Sequence, residues 1–221
     1  PFHFSFDERG RLWVTHSRQY PYPAGVTMVS RDKYYRSHYD KTPPAPPHHD
    51  RGTDVISIHE SSRGDGTFDR HRVFADGLNL ANAALRGHGG VWVANAPDIL
   101  FLQDTDGDGK ADVRRVIFSG FGTGDTHQTL NSFTWGPAGE LMMSQGLHAI
   151  SRIETPWGNE TLHQAGLWRF WPRRMRLDAF WDGAMGAHNP FGTTFDRAGQ
   201  PFVFAGNGHG IAHLTQAMIR T

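Results

Sequence analysis

With 221 residues, 26 of them Gly and 13 Pro, and with 12% aromatics, the chain is long enough for a sizeable core and reads as many short strands joined by tight turns. Lys+Arg and Asp+Glu balance at 22 each, so no net field would draw in nucleic acid or an anionic membrane, and no apolar run reaches the roughly 18 residues of a membrane span. Cysteine is absent, which excludes disulfides, thiol catalysis, iron–sulfur ligation and a C-x-x-C-H haem attachment within this stretch.

The chain opens at Pro1 and Phe2 as if already inside a strand, which fits a processed or excised piece of something longer. Its first clear element runs from Phe6 to Val14: an apolar residue, a turn closed by Gly10, then an apolar strand. Such a phrase writes a β-hairpin. Further copies start at Leu85, Trp135 and Phe195, with Gly89, Gly139 and Gly199 closing their turns. Four hairpins at these intervals imply a repeat architecture, and the intervals suit propeller blades. The expected fold class is therefore all-β, a β-propeller in a single domain over 1–221.

After the first hairpin, residues 15–53 are rich in Tyr, Pro and His, with Tyr20 to Pro23, Tyr34, Tyr35 and then Pro43 to Asp50. Proline blocks helix and central strand alike, so this reads as an inserted loop. His48, His49 and Asp50 have the chemistry of metal ligands, but in a proline-rich loop they read as a solvated cluster.

Two acidic loops follow. In Asp104 to Asp112, the residues Asp104, Asp106 and Asp108 stand at the first, third and fifth places of a calcium loop, the Lys110 carbonyl at the seventh and Asp112 at the ninth. Gly109 sits where the chain must turn sharply. The twelfth place is Arg115 rather than a bidentate Glu, and the flanks Ile99 to Leu102 and Val113 to Phe118 read as strands. The loop is thus of calcium type on a β-hairpin, not an EF-hand; the alternative is an acidic, solvated turn without an ion. Ser61 to Asp69 repeats the phrase, with Asp65, Gly66 and Asp69 matching Asp108, Gly109 and Asp112. Ser61 and Arg63 replace the first two acids, so this loop is read as having lost its metal, with the Arg63 guanidinium pairing with Asp65 or Asp69 or simply exposed. Near the end, Ile211 to Ile219 alone shows a helical period, and Trp168, Trp171 and Trp181 are expected to pack between blades.

On these residues the chain resembles a bacterial family of membrane-bound dehydrogenases related to the soluble quinoprotein glucose and sorbosone dehydrogenases. The carrying stretches are Phe6 to Val14 with Tyr20 and Pro21, Phe74 to Asn79, Gly90 to Gly124, His127 and Asn131 to Pro137, and Gly186 to Gly192. The resemblance implies a six-bladed propeller, of which this chain would hold four to five blades, in an exported or periplasmic protein, often beside a cytochrome c domain. It further implies a sugar or polyol dehydrogenase using pyrroloquinoline quinone, with His127 taking the proton from the sugar hydroxyl. Asn189 would contact the quinone, and His188 stands where the family phrase has an Arg. Gln145 would line the same mouth, with His148 and His209 as further candidates. His188 lacks the charged planar fork that suits the three carboxylates of the quinone. The rival expectation is a non-catalytic propeller that binds carbohydrate or protein, or serves as scaffold for an electron-transfer domain.

Overall fold

The computed structural model describes residues 2–46, 48–182, 189–206 and 210–214. The fold is all-β, a β-propeller arrangement of four blades in chain order, and the one helical turn among the described residues is a 3₁₀ turn at Pro172–Arg174. No helix among them is long and apolar enough to cross a membrane. The chain divides into two compact units, residues 1–28 with 39–117 and residues 29–38 with 118–221.

In the first unit, β1 (His3–Phe6) and β2 (Leu12–His16) form the opening hairpin. The chain then leaves the sheet between two neighbouring strands, carrying the ribbon β3 (Met28–Arg31) and β4 (Ser37–Tyr39), and returns as β5 (Asp54–Glu60), which pairs with β2, and β6 (Arg70–Leu78). The second blade is a plain meander of β7 (Ala81–Gly87), β8 (Gly90–Asn95), β9 (Asp98–Gln103) and β10 (Val113–Ser119). Its middle strands are covered on both faces, which is why Val91 to Ala94 and Ile99 to Leu102 are unbroken apolar runs rather than alternating ones. Trp13, Ile56, Ile58 and Phe74 pack with Ala84, Val93, Leu100 and Leu102 in one core. Each large member contributes about 1.5–3 kcal/mol by leaving water.

In the second unit, β11 (Asn131–Trp135), β12 (Leu141–Gln145), β15 (Gly166–Trp171) and β16 (Arg176–Asp182) make the third blade, and β13 (Ile150–Thr155) and β14 (Gly158–His163) form a ribbon inserted between β12 and β15. The fourth sheet has β17 (Pro190–Phe195), β18 (Pro201–Ala205) and β19 (Gly210–His213). Met142, Leu167 and Trp181 pack with Val203, Ala205 and Leu214 between these two sheets. Trp168 is fully buried and meets Phe121 edge-on at 5.5 Å, whereas Trp171 is only half-buried under the guanidinium groups of Arg169 and Arg174.

All four sequence hairpins are the first strand pair of their sheets. In the first and fourth the turn is drawn by an aspartate: Asp7 Oδ1 accepts the amides of Arg9 and Arg11, and Asp196 Oδ1 those of Ala198 and Gln200. Gly10 and Gly199 then take φ of 71° and 77°, where a Cβ would be strained. The helical reading of Ile211 to Ile219 is corrected: Ile211 to His213 are extended in β19, paired with Phe202 to Phe204, and residues 215–219 lie outside the described ones. A backbone partner at the sheet edge outweighs so short a helical period.

Candidate functional site

In the second unit, the loop after Gly120 brings Asp125 and His127 together, with His127 Nδ1 2.7 Å from Asp125 Oδ1. The imidazole remains 39% exposed, so its other nitrogen can face a ligand. The hydrogen bond to Asp125 raises the His127 pKa above its ordinary value of 6.5; burial opposes the rise, and the Asp125 charge adds to it. On Asp125, burial pushes the carboxyl up, but the hydrogen bond and charge of His127, with help from His148, hold it below the usual value. Gln128 continues the loop, and its Oε1 accepts the His148 amide at 2.8 Å, which fixes where that residue starts.

Gln145 is turned inward. It is 1% exposed at the end of β12. Its Nε2 donates to the carbonyls of Ala149, Leu162 and Gln164, and its Oε1 accepts from Ser151 Oγ and Trp168 Nε1. That amide has no hydrogen-bonding capacity left for a cofactor; it ties the root of the β13–β14 ribbon to the blade. Asn189 precedes β17 with its carbonyl bonded to the Gly206 amide, and its buried Oδ1 has no partner among the described residues. No hydrogen bond among the described residues joins it to His127 or Gln145. His188 and His209 lie outside the described residues.

In the first unit, Asp104, Asp106 and Asp108 each bring a carboxylate oxygen within 4.8 Å of the others. The backbone builds this convergence: Asp104 accepts the amides of Gly107 and Gly109, Asp106 that of Asp108, and Asp108 that of Lys110. Gly107 and Gly109, at φ of 82° and 87°, make the curl possible. Asp112 is turned to a different task. Its Oδ2 accepts both the hydroxyl and the amide of Thr105, bonds that lower its pKa and latch the loop's exit to its entry. Arg115 sits over Phe101 and donates to Gln103, well suited to a strand surface and not to a ligand place.

Two features were hidden from sequence reasoning. His49, expected to be solvated, is half-buried with Nδ1 2.6 Å from Oδ2 of Asp98, a carboxylate only 2% exposed at the start of β9. A buried carboxylate demands a partner, and the proline-rich segment supplies one. The second feature is a cleft of about 550 Å³ in the second unit, lined by Tyr34, Tyr35 and Arg36 on one side and by His148, His163 and Gln164 on the other. The tip of the β3–β4 ribbon is held there by the Ser37 amide donating to the Gly124 carbonyl at 2.7 Å.

The repeated hairpins and sheet order define a β-propeller domain. The chain belongs to the DUF7133 family, a domain of unknown function whose model matches residues 1–220. No curated protein matches it. Among solved structures it is similar to a luciferin-regenerating enzyme at 9% identity, covering 76% of this chain and 71% of that one with a TM-score of 0.38.

Proposed function

We propose that this domain is the propeller part of an oxidoreductase acting on a sugar or polyol, with His127 as the base that takes the hydroxyl proton, Asp125 as the group that orients it, and an organic redox cofactor of the full-length protein as the acceptor of the carbon-bound hydride. The observation that carries this reading is the 2.7 Å Asp125–His127 pair on a partly exposed imidazole. A carboxylate on Nδ1 fixes the tautomer, leaves Nε2 as the acceptor and stabilises the imidazolium that forms. A cytochrome c domain or protein is the partner such an enzyme would use, in an exported setting.

Pyrroloquinoline quinone is a poorer fit. Three carboxylates call for fixed cations, whereas the amide of Gln145 is spent within the protein and the orphaned Asn189 Oδ1 is an acceptor that a carboxylate would repel. This mismatch favours a second reading, a propeller that binds carbohydrate without oxidising it. We also propose that Asp104, Asp106 and Asp108, with the Lys110 carbonyl, hold a structural calcium ion.

The test is dye-coupled oxidation by the full-length protein over a panel of sugars and polyols, with calcium present. His127→Asn should lower turnover about 10²–10⁴-fold, with melting unchanged at a pH above the raised His127 pKa; equal turnover would remove His127 as the base, and a wild type that oxidises none of the panel would leave the binding reading. For the base to act it must be neutral, so the rate should climb as pH rises through the raised His127 pKa, and Asp125→Asn should move that climb down toward 6.5. The same pair contributes stability that is fully present below 6.5 and fades as pH rises through the raised value.

A further inference from the structure

The ribbon tip repeats the aspartate turn of the first and fourth blades with one change. Asp32 Oδ1 accepts the amides of Tyr34 and Arg36, as Asp7 and Asp196 do for their own turns, and the closing bonds match: Tyr35 N to Asp32 O at 3.0 Å, Gly10 N to Asp7 O at 2.9 Å, Gly199 N to Asp196 O at 3.0 Å. The place of Gly10 and Gly199 is taken by Tyr35, at φ of 63°. A bulky residue in the left-handed region is an outlier, and such strain gathers where a side chain has a task. Across the cleft a second one stands, Gln164 at φ of 82°.

What these residues present is free chemistry. Tyr35 is 70% exposed and meets His148 edge-on at 6.4 Å, so much of its ring faces water. Tyr34 serves differently, with its ring carrying the charges of Lys33 at 4.9 Å and Arg36 at 5.3 Å. His163 and Gln164 are exposed, and neither side chain hydrogen-bonds the protein among the described residues. Their backbone is nevertheless rigid, since the Gln164 carbonyl is held by Gln145 and its amide by the Ala149 carbonyl. An aromatic face opposite imidazole and amide groups carried on a held backbone, in a cleft the size of a small-molecule site, matches a ring that is apolar on its C–H faces and hydroxylated at its rim.

We propose that this cleft binds a saccharide, stacked on Tyr35 and hydrogen-bonded by His148, His163 and Gln164, with Gln145 as a positioning residue beneath it. Only the ligand class rests on the oxidoreductase reading; the site itself does not.

Tyr35→Gly removes the ring at a position where glycine is the better backbone, so the variant folds if the wild type does. Titration calorimetry of the full-length protein with cellotetraose, xylotetraose, laminaritetraose and digalacturonate should give millimolar or tighter binding for at least one. Tyr35→Gly should weaken it about tenfold or more, with melting unchanged or higher, and Gln164→Ala should weaken it as well. No binding by any of the four sugars, or equal binding by Tyr35→Gly, overturns the proposal. His127→Asn separates the two readings: binding kept with turnover lost supports both, and binding by a wild type that oxidises nothing supports the cleft while sinking the oxidoreductase.

Discussion

The loops Ser61 to Asp69 and Asp104 to Asp112 have nearly one backbone and two different fillings. Both join the third and fourth strands of their blades, and both begin and end alike: the Asp69 amide donates to the Glu60 carbonyl as the Asp112 amide does to that of Gln103. Ser62 latches onto Asp69 through hydroxyl and amide as Thr105 does onto Asp112, and each latch lowers its carboxyl's pKa, hydroxyl first. In the middle they part. Where Asp106 stands in one, Arg63 stands in the other, its Nε 2.9 Å from Asp65 and its Nη1 3.9 Å from Asp69. A latch and two glycines therefore suffice to form the loop, and the central residues decide whether its charge is balanced by the chain's own cation or left for one from solution.

Calcium should break this symmetry most visibly. At one hundred times its Kd the ion adds about 2.7 kcal/mol, which for a chain of this size raises Tm by about 5–11 °C, and chelator removes the whole of it. Asp106→Asn keeps an oxygen ligand but removes a charge, so it should weaken the ion and shrink the shift, and in chelator it should melt no lower than wild type, because one of three converging negative charges has gone. A wild type whose melting ignores calcium would make both loops ion-free and end the contrast.

Next in size is the reverse experiment. Ser61→Asp with Arg63→Asp recreates three alternating acids on a backbone that already carries the latch and the glycines at Gly64 and Gly66. One more calcium per chain, counted by equilibrium dialysis, is expected. If the doubly substituted protein stays at the wild-type count, the acids alone do not define the site, and the Lys110 carbonyl or its neighbours supply what the earlier loop lacks.

The comparison also shows what a sequence can and cannot display. The acids and glycines of the loops were legible because they are contiguous from Asp104 to Asp112; the latch was not, since Asp112 reads as a ninth-place ligand and its bonds to Thr105 show only in the fold. The blades were legible because each opens with a turn closed by glycine. Gln145 was half legible. Its place at a strand end drew notice, but its role depends on carbonyls from Ala149, Leu162 and Gln164, gathered only when a ribbon folds back. The His49–Asp98 pair joins a loop to a strand far along the chain, and no local pattern marks it. Tyr35 was missed for a different reason. The glycine that marks such a turn is absent here; the remaining signal is Asp32, spaced from Tyr35 as Asp7 is from Gly10.

The smallest effect is the one that defines what Arg63 does. Its side chain is 63% exposed, and pairs in such surroundings are screened by water and cost side-chain freedom to hold. Arg63→Ala should therefore move Tm by a degree or so, and raised salt should erase even that, because the attraction to Asp65 and Asp69 is what salt weakens. It should also bring no calcium response, since Ser61 and the new alanine leave two of three ligand places empty. A fall of several degrees that persists in high salt would mean the guanidinium fills the loop as a fixed structural part, equivalent to the ion in its neighbour; a fall of a degree means the latch holds this loop and the cation only quiets its charge.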